Sequence, residues 1–148
     1  MEWNIKNFNQ LSVEDIYEIL QIRNEVFVVE QKCAYQDCDG KDKHAYHLFY
    51  SHKGKIVSYL RILEKGISYK EISIGRVLTK KEYRNKGLIR KGMLKAINFI
   101  EENLGENSIR ISAQEYLKDF YKSLGFKEVS EVYLEDNIPH VEMLYGSN

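Results

Sequence analysis

Apolar residues recur at helical spacing in three stretches of this chain and alternate with polar ones in several shorter stretches. Ile89, Met93, Ala96, Ile97, Ile100 and Leu104 form one stripe and predict an amphipathic helix over residues 87–103. Ser12 stands as a capping residue ahead of Ile16, Ile19 and Leu20, which predicts a helix over 13–24. Leu117, Phe120, Tyr121 and Leu124 predict a third helix over 115–124, with Gly125 as its C-terminal cap. Strand-like runs fall at 3–8, 45–50, 55–63, 71–79, 109–112, 126–134 and 140–145. Ser51-His52-Lys53-Gly54 joins the second and third of these as a tight hairpin. Residues 25–31, rich in Val26, Phe27, Val28 and Val29, fit either a helix or a strand. Residues 32–43 read as an irregular acidic loop.

The resulting order, β-α-α-β-β-β-α-β-α-β-β, is a meander followed by βαβ crossovers. It predicts an α/β (α+β) protein with a mixed sheet and helices on both faces. No repeat, linker or low-complexity tract divides the 148 residues, so 1–148 is read as one domain. With 43% hydrophobic and 30% charged residues the composition is globular. No apolar run approaches the roughly 18 residues of a membrane span. The N-terminal residues lack the basic-then-apolar pattern of an export signal, so the expected location is the cytoplasm. Cys33 and Cys38 are then expected to be reduced thiols. Equal numbers of acidic and basic residues, 22 of each, argue against a general nucleic-acid binder.

Charge is nevertheless unevenly placed. Lys80, Lys81, Arg84, Lys86, Arg90 and Lys91 face the single acid Glu82 where a strand ends and the longest helix begins. A helix start offers unpaired N–H groups and partial positive charge, a natural site for phosphate oxygens. Neither G-x-x-x-x-G-K-[ST] nor a G-x-G-x-x-G after a strand occurs. What does occur, Arg84-x-x-Gly87-x-Ile89, resembles the R/Q-x-x-G-x-G/A signature of the GNAT superfamily of acyl-CoA-dependent N-acetyltransferases. Ile89 replaces the second small residue of that signature, and its place at the head of the apolar stripe turns its side chain to the sheet.

Further segments carry the resemblance over nearly the whole chain. Ser112-Ala113-Gln114 and Phe120-Tyr121-x-x-Leu124-Gly125-Phe126 are similar to the family's fifth-strand end and FY helix. The segments Arg23-x-x-Val26-Phe27-Val28-Val29-Glu30-Gln31, Tyr35-Gln36-Asp37-x-Asp39-Gly40-x-Asp42, Ser73-Ile74-Gly75-Arg76-Val77 and Ile138-Pro139-His140 resemble its ElaA-like subgroup. The resemblance implies a mostly antiparallel central sheet and acetyl-CoA as acyl donor to a primary amine of a small molecule or peptide. It implies coenzyme contacts from Arg84, Asn85, Lys86, Gly87, Leu88, Ile89 and Arg90 at the helix start. Backbone contacts from Val77, Leu78 and Thr79, and a contact from Gln114, complete the set.

Acetyl transfer to an amine needs a neutral amine and a proton for the departing thiolate. Tyr121 matches the family's FY tyrosine and is the expected general acid, although its spacing fits core packing equally well. No acid stands at Ser73, where the family's base would align. Glu71, Glu30 and His140 are alternatives, and no base is assigned. Glu30, Asp37, Asp39 and Asp42 invite two readings: a negative rim that draws a cationic acceptor, or ion-pair partners for Arg61 and Arg76 inside the strands. Glu30, Asp37, Asp39 and His140 are taken as the candidate acceptor residues. Cys33, Cys38, His44 and His47 have zinc-ligand chemistry at separations that do not fit a zinc site, and Asp37–Gly40 lacks a calcium loop's spacing, so no metal is expected. A catalytically silent acyl-CoA-binding module and an acyl-homoserine-lactone-synthase-like acyltransferase are the rival functions. An exposed strand edge could support a homodimer.

Overall fold

A computed structural model describes residues 2–146. Eight strands form one sheet: β1 (Glu2–Asn7), β2 (Ala45–His52), β3 (Lys55–Leu63), β4 (Ile72–Thr79), β5 (Ile109–Gln114), β6 (Phe126–Glu128), β7 (Tyr133–Glu135) and β8 (Ile138–Tyr145). Their spatial order is β1-β2-β3-β4-β5-β8-β6, with β7 also paired to β8. Only β4 and β5 run parallel, because helix α2 (Leu88–Asn103) crosses between them; every other pairing is antiparallel. The mixed sheet with helices on both faces is therefore the fold the hydrophobic pattern implies.

Alternation assigns the two faces. Leu48, Leu60, Ile62, Ile74, Ile111, Val141 and Met143 pack with Met93, Ala96, Ile97 and Ile100 of α2, and with Tyr121 of the short helix α3 (Lys118–Ser123). On the other face Phe49, Tyr59 and Leu78 pack with Ile19, Ile22 and Val26 of α1 (Val13–Arg23) and its extension. The Ser12 cap is present: its hydroxyl accepts from Asp15 N–H, and Asp15 returns a bond to Ser12 N–H.

One open reading is settled and two expectations are corrected. Residues 24–30, open between helix and strand, continue α1 as a π-helical turn that buries Val26 and ends at Glu30. The third helix begins as a 3-10 turn at Glu115–Leu117 before α3. The single strand expected over 126–134 is two strands, because residues 129–132 leave the ladder. Partner sums along β8 rise by two between Glu128↔Met143 and Tyr133↔His140, so this edge accommodates two extra residues. The Ser130 hydroxyl fills the interruption by accepting from Glu142 N–H at 2.9 Å. The β2–β3 hairpin turns at Lys53-Gly54, both at positive φ, as a two-residue connection requires.

Two local departures open the sheet. Gly75 pairs with Arg61 and Leu78 with Tyr59, so β4 carries one extra residue opposite Leu60; Arg76, at φ 52°, forms this bulge. The parallel ladder to β5 fails before the bulge is reached. Ile72 and Ser73 pair with Ile109 and Arg110, but residues 74–79 have no β5 partner. The two strands diverge at the middle of the sheet.

Candidate active site

The gap between β4 and β5 opens into a cavity of about 1010 Å³. It touches every residue assigned to the site from sequence except Lys86 and Asp37. Three regions meet there: the start of α2, the tyrosine of α3, and the loop face around β5 and β8.

At the start of α2, Gly87 takes φ 76°, a left-handed conformation that disfavours a side chain, and Asn85 takes φ 64°. No side chain caps this helix. Lys91 N–H is the first to find an intrahelical acceptor, Gly87 O at 3.1 Å, while Leu88, Ile89 and Arg90 N–H donate to nothing among the described residues. Ile89 packs against the core, so its substitution for a small residue leaves these amides open.

The two arginines of this turn hold protein groups instead of standing free. Arg84 donates to both carboxylate oxygens of Glu30 and, through Nε, to Thr79 O at 2.9 Å. Arg90 donates to Ser123 Oγ at 3.0 Å and lies 5.1 Å from the Phe120 ring centroid, which ties α2 to α3. Hydrogen bonding from Arg84 holds the Glu30 carboxyl below its ordinary range. The free cations of the turn, among the described residues, are thus Lys80, Lys81, Lys86 and Lys91.

Tyr121 is 7% exposed, with its ring between Phe120 and Phe126 at 5.2 and 6.0 Å. It belongs to the core and lines the cavity at once. Its hydroxyl makes no hydrogen bond among the described residues. Burial pushes the phenol well above its usual pKa, so it keeps its proton at neutral pH.

The acidic loop resolves toward ion pairing. Arg23, fully buried, donates to Asp37 Oδ2 at 2.7 Å, Asp42 Oδ1 at 2.8 Å and Asp37 O at 3.0 Å. Arg61 donates to both oxygens of Asp39 at 2.9 Å and to Asp42 at 3.0 Å. Arg76, aimed by the bulge, reaches Asp39 Oδ2 at 3.2 Å and Asp37 O at 3.1 Å. His47 donates from Nε2 to Asp42 O and accepts the Tyr59 hydroxyl at Nδ1. Asp37, Asp39 and Glu30 therefore neutralise arginines and do not form an unpartnered negative rim. The sequence offered both readings because it gave the charges without their distances.

This network makes stability pH-dependent. Burial raises the Asp39 carboxyl, but hydrogen bonds from Arg61 and Lys41 N–H outweigh it and hold it far below the usual range; Asp42 is lowered in the same way by Arg23 and Arg61. A carboxylate lowered on folding contributes its full stability above its unfolded pKa, near ~4, and loses it as pH falls through the folded value. Burial also lowers His47, which acts with the same sign. Melting temperature should accordingly fall steeply below about pH 4. In Asp39→Asn protein the melting temperature at pH 7 should be lower and its acid dependence shallower, as a pH series of melting curves would show.

Glu71, one alternative for a base, is held by Arg110 at 3.0 Å, and Arg110 also donates to Glu142 at 2.8 Å. Gln114 lies across from His140 in the β5–β8 ladder. Sequence reading missed Ser112, Tyr133 and Glu135, which join His140 on this face: the Ser112 and Tyr133 hydroxyls pair, and Glu135 Oε1 accepts from Ser112 at 3.2 Å. Their signal was the alternation of Ser112, Gln114, His140 and Glu142 with buried Ile111, Ala113, Val141 and Met143. The turn Asp136-Asn137, both at positive φ, folds Glu135 back over His140.

Known proteins match this geometry along its length. A model described as an acetyltransferase (GNAT) domain matches residues 9–145. The solved structure of an acyl-CoA N-acyltransferase from Pseudomonas aeruginosa is 38% identical and superposes with a TM-score of 0.93, covering 99% of this chain and 100% of that one. Protein ElaA of Escherichia coli is 37% identical over 97% of this chain and 95% of its own length. Its crystal structure gives a TM-score of 0.91 at 36% identity over 98% and 99% of the two chains. A UPF0039 protein of Schizosaccharomyces pombe is 41% identical over 97% of this chain and 95% of its own. A cleft at diverging parallel strands, an uncapped glycine-led helix start and matches over nearly the whole chain agree: this protein belongs to the GNAT family of N-acetyltransferases.

Proposed function

We propose that the protein transfers an acetyl group from acetyl-CoA to a primary amine of a small molecule or peptide by direct attack on the thioester. The observation that carries this reading is the β4–β5 gap, which has open helix-start amides at one end and the Tyr121 hydroxyl, without a protein partner, beside it. The residues present fit the donor. Leu88, Ile89 and Arg90 N–H, with Lys86 and Lys91 nearby, suit phosphate oxygens. The edge of β4 that β5 abandons suits a chain that adds as a strand would, at Val77, Leu78 and Thr79. Arg84 serves this site through its backbone and by fixing the turn, since its guanidinium is held by Glu30 and Thr79. Acetyl-CoA supplies an activated acyl carbon and a thiolate leaving group. Tyr121 gives a proton at the sulfur, and holding both reactants in one cavity lowers the entropic barrier.

Release of free thiol from acetyl-CoA in the presence of polyamines, amino acids, aminoglycosides and lysine peptides tests the activity. Binding of acetyl-CoA without thiol release across these classes would favour a silent acyl-CoA-binding module instead. The helix-start site is tested separately. Lys86→Glu with Lys91→Glu should weaken acetyl-CoA binding roughly 3- to 30-fold by calorimetry, as two exposed helix-terminus charges allow. High salt should reduce the difference. Unchanged affinity in the double variant would place the phosphates elsewhere.

A further inference from the structure

Both carboxylates considered as bases are already engaged, Glu30 by Arg84 and Glu71 by Arg110, and the loop acids Asp37 and Asp39 are held by Arg23, Arg61 and Arg76. His140 is not so engaged. It is 7% exposed and lines the cavity. Its Nδ1 lies 2.7 Å from Ile138 O. A carbonyl oxygen can only accept, so Nδ1 carries the ring proton and the neutral imidazole keeps its lone pair at Nε2. Nε2 makes no hydrogen bond among the described residues; Glu135 Oε2, also an acceptor, stands 4.0 Å away. The Tyr133 ring stacks on the imidazole at 6.2 Å and 27°, which fixes its plane.

Acidic and neutral groups border the ring. Glu135 comes from β7 and Asp136 from the adjoining turn, while β5 presents the neutral groups Ser112 and Gln114. Further along the same face, Arg110 is compensated by both Glu71 and Glu142. His140 and Tyr121 also lie on opposite sides of the sheet. Val141 and Ala113, the strand neighbours of His140 and Gln114, share the core cluster of Tyr121. The gap between β4 and β5 is the passage between the two.

Building on the acetyl-transfer reading, we propose that His140 is the general base for a cationic primary-amine acceptor, with Glu135 as the carboxylate that balances the ring's charge once it takes the proton. Nε2 takes one proton from the acceptor ammonium and passes it to solvent. The neutral amine forms its bond to the thioester carbonyl carbon as the carbon–sulfur bond breaks with its electron pair on sulfur. The nitrogen's second proton replaces the one that Tyr121 gives to the thiolate, so the products are an N-acetyl amine, free thiol and one proton.

Long-range proton–nitrogen NMR of the wild-type imidazoles, assigned by through-bond correlation to the backbone, should find neutral His140 protonated at Nδ1. An Nε2-protonated ring would overturn the proposal, and this measurement does not depend on any variant folding. With the best amine of a panel of polyamines and lysine peptides, His140→Gln should lower kcat/KM roughly 10²-fold or more, as for a positioned base. It should also abolish the rise of kcat/KM with pH, while calorimetric acetyl-CoA affinity stays unchanged. Glu135→Gln should raise amine KM with the same acetyl-CoA affinity. Wild-type turnover alongside an undiminished His140→Gln variant would overturn the base alone. Wild-type protein that acetylates no amine in the panel would overturn the acetyl-transfer reading and the base with it.

Discussion

Tyr121→Phe protein should bind acetyl-CoA normally and transfer its acetyl group roughly 10²–10⁴-fold more slowly, the range for loss of a positioned general acid. At about 1.36 kcal/mol per tenfold, this is roughly 3–5 kcal/mol of transition-state stabilisation. The substitution is clean because the ring contacts with Phe120 and Phe126 remain. The hydroxyl has no partner among the described residues, so its removal leaves no buried group unpaired. Melting temperature should therefore change little. Because burial holds the phenol above its usual pKa, wild-type activity should show no alkaline loss attributable to Tyr121 in the ordinary phenol range near ~10. Single-turnover acetylation beside a melting curve makes the measurement. A folded variant with undiminished chemistry would assign Tyr121 to packing and the proton to another donor.

The largest stability effect is expected at Arg23. Its guanidinium, 0% exposed, joins the end of α1 to Asp37 and Asp42. Arg23→Met keeps an apolar stem of similar length but leaves two largely buried carboxylates short of a cation, a loss that commonly costs about 3–5 kcal/mol. For a chain of this size that corresponds to a fall in melting temperature of roughly 6–20 °C. Arg23→Lys should recover little, since one ammonium cannot reproduce a planar fork that reaches Asp37 Oδ2, Asp37 O and Asp42 Oδ1. The loop these acids belong to lines part of the cavity through Tyr35, Asp39 and Lys41, the side proposed here for the acceptor. Amine KM should therefore rise in any folded variant, with acetyl-CoA affinity nearly constant. Denaturant unfolding and amine kinetics on the same sample would separate the two effects; an Arg23→Met protein of wild-type stability would contradict the role of the network.

The sequence by itself determined the elements whose signals are local. The α2 stripe, the Ser12 cap, the Lys53-Gly54 hairpin and the alternation in β2–β5 each specify a conformation through neighbours a few residues apart. The glycine-led helix start was legible for the same reason, since an uncapped N-terminus after a basic turn is a one-segment property. Tertiary structure decided what depends on which segments meet. The 126–134 edge broke because its register is set against β8. Residues 24–30 became a π-helical turn whose last residue, Glu30, meets Arg84.

Charge showed the same division. Composition placed acids in the 32–43 loop and arginines in β3 and β4, but only the bulge at Arg76 and the burial of Arg23 made them partners. The tautomer of His140 likewise follows from a single backbone carbonyl, Ile138 O, and its charge environment from a hairpin that returns Glu135 to within 4.0 Å. Residue types fix which interactions are chemically available. Desolvation and distance, set by the packed sheet, decide which of them form and which groups remain free for a substrate.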